Sequence, residues 1–409
     1  MKVLILGAGP AGLSLAHALK DSGVSRITVL EAEGEAGGLC RSAEVNGAPL
    51  DTGGGHFLDV VRPEVTAFLF RFMPETEWAL FERDSRIRIR GQLISHPFEA
   101  NLWQLDTDSQ VEYLMSIARA GCVTGSEAPA AFRDWIRWKL GDRIAEEYML
   151  PYNRKMFGEE LDALGTYWLE KLPDVSFEDT LRSCLTGRAH AKQPGHARFY
   201  YPKQYGYGEL WRRMADALGD ALQYGKRVAE IDFDRCAVTT RDGSAYEADL
   251  IVTTVPWTSL ERFPGMPEDL KASLQKLKHT GIVIAYDATE TDDKAHWIYV
   301  PDESVPHHRV LLRHNFLRGA RGVWTETRME RFAGEADEKS AFLRPYAYPL
   351  NTLEKPAVMR RLLDFAKEHR VYGLGRWGEH AHFNSDVVVE RAMQLAKQLC
   401  LWYDKTEQT

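Results

Sequence analysis

Lys2 to Leu6 is a short apolar run that leaves through Gly7-Ala8-Gly9-Pro10-Ala11-Gly12 into a helical pattern over Leu13 to Lys20. A second apolar run, Arg26 to Leu30, ends at Glu31. No other stretch limits the fold as tightly. Gly7 permits the tight turn, Gly9 lets the backbone approach a pyrophosphate, and Gly12 lets helix and strand pack closely. The helix start offers unpaired N–H groups and a partial positive charge to phosphates. Glu31 stands about twenty residues on, where a carboxylate can accept from a ribose hydroxyl. A glycine-rich turn alone arises by chance; strand, turn, helix, strand and acid in this order predict a dinucleotide site in an α/β fold.

Two later glycine clusters narrow the ligand. Glu31-Ala32-Glu33 leads into Gly37-Gly38-Leu39-Cys40-Arg41-Ser42, and Asp51-Thr52-Gly53-Gly54-Gly55-His56 follows. A nicotinamide enzyme needs neither. The series resembles the large flavoprotein family that includes amine oxidases, protoporphyrinogen oxidase and UDP-galactopyranose mutase. The resemblance implies FAD, held by Gly7, Gly9, Pro10, Ala11, Gly12, Glu31, Ala32, Gly38, Leu39, Arg41, Gly54, Gly55 and His56. From later segments it adds Val228, Gly375, Asn384 and Ser385, the last two at a helix N-cap that faces the flavin.

The 409 residues exceed one simple core, so several lobes are expected. The implied fold is a discontinuous Rossmann-like FAD-binding domain (1–60, 195–275 and 355–409), a mainly helical insert (61–194) and a smaller antiparallel-sheet substrate domain (276–354). Within the insert, Pro151 to Phe157 reads as a loop. Net charge is −8 with both signs interspersed, which gives no footprint for nucleic acid. No apolar run is long enough to span a bilayer, and Met1-Lys2-Val3 lacks a cleavable-signal layout. The five cysteines are scattered and without CxxC spacing, as for reduced thiols in a cytoplasmic protein with no metal site.

From the second lobe onward the resemblance becomes closer. His96-Pro97-Phe98-Glu99-Ala100-Asn101-Leu102, Pro151-Tyr152-Asn153-Arg154-Lys155, Tyr167-Trp168-Leu169, Trp297-Ile298-Tyr299-Val300-Pro301-Asp302 and Tyr346-Ala347-Tyr348-Pro349 occur in the order found in UDP-galactopyranose mutases of the eukaryotic type. Arg309 stands ten residues after Tyr299, a spacing those enzymes share. The resemblance implies a pyranose–furanose mutase acting on a nucleotide sugar. There, reduced FAD attacks the anomeric carbon through N5, and the nucleoside diphosphate leaves and returns. The cofactor carries the difficult step, while the protein positions the sugar and stabilises the departing phosphates. NAD(P)H or another reductant, and a homo-oligomer, are further partners it allows.

Arg309 is the first choice for the diphosphate, since a guanidinium grips phosphate oxygens in a fixed fork. Tyr299 and Tyr348 would add hydroxyl donors, and Trp297 belongs to the same motif. Lys171 would be a second cation. His56, by family position, sits beside the flavin and could transfer a proton. Phe98, Glu99, Asn153 and Phe157 match base-contacting positions. Glu99 replaces a glutamine, and an ionised carboxylate only accepts, so the base is expected not to be uracil. Near the C-terminus Gly373 stands where the family has an arginine. Glu379 stands near a diphosphate-binding tyrosine position, with His380 and His382 as substitute donors. Two other classes fit the flavin motifs: an amine or protoporphyrinogen-type oxidase, and a flavin-binding homologue without catalysis.

Overall fold

The computed structural model describes residues 1–169, 174–190, 197–334 and 339–407. The opening residues form strand β1 (Lys2–Leu6), helix α1 (Pro10–Asp21) and strand β2 (Arg26–Leu30). Both strands pair in parallel, with Leu4 opposite Thr28. They sit inside a five-stranded sheet ordered Leu222–Gln223, β2, β1, Leu250–Thr253, Val371–Gly373. Val3, Leu4, Ile5 and Leu6 are all buried, as expected where a parallel sheet is covered on both faces. The final helix, Ser385–Glu407, lies against α1 and closes one of those faces.

A second, seven-stranded sheet runs Ala341–Pro349, His279–Asp287, Val323–Arg328, Arg309–Leu312, Trp297–Tyr299, Ser85–Ile89, Gln92–Ser95. It is antiparallel except where Trp297–Tyr299 runs parallel to Ser85–Ile89. The chain is thus an α/β fold whose two largest sheets are a parallel one of five strands and a mainly antiparallel one of seven. The hairpin at 85–95 lies within 61–194 by sequence, yet completes the seven-stranded sheet. Local pattern identifies the strands but not the sheet that captures them.

The helical part carries Thr107–Ala118, Phe132–Ile144 and Leu150–Phe157. The last of these replaces the loop expected over Pro151 to Phe157. Pro151 falls in the first helical turn, where its missing N–H costs nothing and its fixed φ suits the helix. A one-turn π-helical segment, Ala145–Met149, leads into it. Among the described residues no helix is long and apolar enough to cross a membrane.

Candidate active site

The two sheets meet around two adjoining cavities, of about 630 Å³ and about 280 Å³. His56, Arg376 and Ser385 line both.

The smaller cavity is built on the glycine turn. Gly7, Gly9, Pro10, Ala11, Glu31, Gly38, Leu39 and Arg41 line it. A Cβ on Gly38 would lie 3.3 Å from the Gly9 Cα, so two bare backbone segments form the floor. Glu31 accepts from the Ala8 N–H at 2.8 Å and the Glu33 N–H at 2.9 Å. A carboxylate has roughly four lone-pair positions, so a ribose hydroxyl can still be accommodated. Backbone floor, helix N-terminus and ribose acceptor fit an FAD. Gly12, Ala32, Val228 and Gly375, also expected here, do not line the cavity. Gly12 acts from behind, by packing against Gly7. Gly375 packs against Ala11, where its own Cβ would meet the alanine methyl at 2.8 Å. Val228 pairs with Thr240 in a separate three-stranded sheet.

The larger cavity gathers Gly54, Gly55, His56, Glu99, Asn153, Phe157, Trp297, Tyr299, Arg309, Tyr348, Asn384 and Ser385 from separate segments of the chain. The ten-residue spacing of Tyr299 and Arg309 has a structural reason. The two residues are cross-strand partners in one hairpin, and Arg309 is in turn the partner of Glu326 on the next strand. Cross-strand partners share a face, so the three side chains stand in a row.

Glu326 alters the expected picture of Arg309. It is fully buried and accepts from Arg309 Nε at 2.7 Å, Arg309 Nη2 at 2.8 Å and the Gly55 N–H at 2.9 Å. Burial opposes its ionisation, but Arg309 and its other donors outweigh that and pull the carboxyl to about 2. Burial likewise disfavours the Arg309 charge, and Glu326 more than offsets it. One edge of the guanidinium is therefore occupied. The Nη1 group and the outer Nη2 hydrogen remain for a ligand.

His56 hangs from the same loop. Its Nδ1 lies 2.9 Å from the Gly54 carbonyl, an acceptor, so Nδ1 carries the proton and Nε2 is left as an acceptor. Burial first, then the Arg376 charge, lower its pKa to about 4, so the ring is neutral at physiological pH.

Several side chains were invisible as site residues in the sequence. Arg83 donates to His96 Nδ1 at 3.1 Å and to the Tyr299 hydroxyl at 3.2 Å, and lies 4.9 Å over the Trp297 ring. Arg376, half-buried, donates to the Ala347 and Phe383 carbonyls at the junction of the cavities. Lys139 lines the far end, paired with Asp174 at 2.5 Å. A lone arginine on a turn has no motif to mark it.

Other expected site residues do not reach the cavity. Phe98 is fully buried behind it, 5.2 Å from the Tyr113 ring and 5.8 Å from the Tyr148 ring. Glu379 pairs with Arg391 and accepts from the Gly375 N–H at 2.9 Å, which caps the short helix Gly375–Gly378. His380 is buried with its Nε2 against the Lys278 carbonyl at 2.9 Å. Of these two histidines, His382 lines the cavity, 4.9 Å from the Tyr348 ring. Lys171 lies outside the described residues.

Comparison with solved structures gives the same architecture. A reduced UDP-galactopyranose mutase aligns with a TM-score of 0.87 at 21% identity, covering 97% of this chain and 95% of that one. An Exiguobacterium protein described as a protoporphyrinogen oxidase aligns at 0.70 with 13% identity, covering 98% of each. Putrescine oxidase bound to putrescine aligns at 0.60 with 16% identity, covering 97% and 98%. At such identities these likenesses establish the fold. The sequence model of the flavin containing amine oxidoreductases matches residues 10–298, well over half of the chain. The chain therefore belongs to the flavin containing amine oxidoreductase family, and its cofactor is FAD.

Proposed function

We propose that this chain is a nucleotide-sugar pyranose–furanose mutase that works with reduced FAD. The observation that carries the reading is the charge and donor pattern of the larger cavity. Arg83, Lys139, Arg309 and Arg376 line it against only Glu99 and Asp174 among the described carboxylates. An amine substrate is itself a cation and would be repelled, and a porphyrin would need an apolar slot. A nucleoside diphosphate matches both the charge and the donors. The five motifs in order are the ground for the likeness to the eukaryotic type.

Bound reduced FAD supplies the nucleophile. The residues do the rest. Arg309 presents Nη1 to the departing phosphate oxygens, and Tyr299 and Tyr348 add hydroxyl donors where negative charge develops. Glu326 fixes the guanidinium plane. His56, neutral, offers Nε2 to a sugar hydroxyl and can hold its proton during ring opening and closure. Asn153 donates through Nδ2 to the Met149 carbonyl at 2.7 Å, which leaves its Oδ1 to accept from a base N–H.

Dithionite-reduced protein incubated with a panel of nucleotide pyranoses is expected to yield furanose products, and air-oxidised protein none. Oxygen consumption with an amine would establish the oxidase class instead. Bound flavin with neither activity would indicate a binding homologue.

Only an ionised Glu99 disfavours uracil. That side chain is buried, and burial raises its pKa, with Lys139 opposing only in part. A neutral carboxyl donates as well as accepts, and so can serve a uracil carbonyl as glutamine would. UDP binding should therefore weaken as pH rises through the Glu99 pKa, while binding of GDP or CDP, with amino donors, strengthens. Calorimetric titrations across pH test this, and Glu99→Gln should make UDP binding insensitive to pH. A flat UDP profile in the unmodified protein would remove Glu99 as the determinant.

A further inference from the structure

We propose that Arg344 is a phosphate clamp for the FAD, reaching the glycine cradle from the opposite sheet. The inference rests on the cofactor alone and is independent of the mutase reading. Arg344 lies on the strand Ala341–Pro349 of the seven-stranded sheet, yet it lines the smaller cavity together with Gly9, Gly38 and Arg41.

Its hydrogen bonding is incomplete in a way that points to an anion. Nη1 donates to the Leu343 carbonyl at 3.0 Å and Nη2 to Thr52 Oγ1 at 2.6 Å. Nε is buried and has no partner. Arg41, across the cavity, donates through Nε to the Gly38 carbonyl at 3.0 Å and through Nη1 to Glu35 at 3.2 Å. Thr52 joins the two, since its hydroxyl donates to the Arg41 carbonyl at 3.2 Å while accepting from Arg344. Burial, followed by repulsion from Arg41, lowers the Arg344 pKa to about 10, and Glu35 and Glu33 offset this only in part.

Two guanidinium groups held near each other over a bare glycine floor repel, and a ligand with two linked phosphates removes that repulsion. The glycine cradle and the N-terminus of α1 already fix where the phosphates of a dinucleotide lie. Arg344 supplies what they lack, a charged donor from the sheet that also carries Arg309. Cofactor binding would then tie the two sheets together.

The test is the rate at which holoenzyme releases FAD on dilution, followed by recovery of flavin fluorescence. Arg344→Ala should release FAD about ten- to a hundredfold faster, the range for one charge-assisted hydrogen-bonded contact. Arg344→Lys should fall between, because it keeps the charge without the fork. Added salt should accelerate release from the wild type more than from Arg344→Ala. If Arg344→Ala does not fold, Thr52→Val, which removes the Nη2 acceptor, should still accelerate release severalfold. A wild-type release rate in Arg344→Ala overturns the proposal. So does equal impairment of the alanine and lysine variants with unchanged salt response, which would mean packing alone.

Discussion

Replacing Arg309 with alanine is expected to do two separable things. Nucleoside diphosphate binding and furanose formation should fall by more than about a hundredfold, the loss of a charge-assisted phosphate contact made strongest as the leaving group departs. The fold should also lose about 3–5 kcal/mol, because Glu326 is left buried as an uncompensated carboxylate. Removing both charges isolates the two effects. An Arg309→Met, Glu326→Met double variant should recover much of the stability, since a buried ion pair can be exchanged for apolar packing at little cost. It should recover none of the diphosphate binding. Chemical denaturation and nucleotide titration read the two quantities. Full nucleotide affinity in the stable double variant would exclude Arg309 from the phosphate site.

The second large effect is expected at Gly12, by a different route. A Cβ there would sit 1.9 Å from the Gly7 carbonyl oxygen and 3.2 Å from Ile5 Cγ2. The first of these is backbone in the turn that cradles the cofactor, so it cannot swing aside as a side chain would. Gly12→Ala must push α1 away from β1. The cost should reach or exceed the ~1–3 kcal/mol usual for overpacking, and the helix start should leave the position from which its N–H groups face phosphate. Loss of bound flavin in the purified protein is the expected result. Gly34→Ala is the control: a Cβ there meets nothing within 4 Å, so flavin content and stability should be unchanged.

These two positions differ in how they could be recognised. Gly12 was legible because its constraint is local: turn, helix and strand follow one another within thirty residues, and spacing alone fixes their geometry. Arg309 was legible only through its distance from Tyr299, which the hairpin turns into a cross-strand contact. Glu326 could not be found that way. It meets Arg309 because the strands Arg309–Leu312 and Val323–Arg328 lie side by side, and a strand's own pattern does not say which strand becomes its neighbour. Glu379 and His380 misled for a related reason. A sequence position near a family's binding residue does not say which way the chain turns, and the short helix at Gly375–Gly378 directs Glu379 to Arg391 and carries His382 to the cavity instead.

The sequence by itself determined the opening strand–turn–helix–strand unit, with its glycine turn and the carboxylate of Glu31 at its end, because these depend on contacts between near neighbours in the chain. The tertiary structure decided how those parts are used. It paired Arg309 with a buried carboxylate and kept Glu99 from water. It placed the 85–95 hairpin in the seven-stranded sheet and brought Arg83, Arg344 and Arg376 from distant segments to the cavities. Charge state and hydrogen-bond partner depend on what surrounds a group in space, and that environment exists only once remote segments have packed.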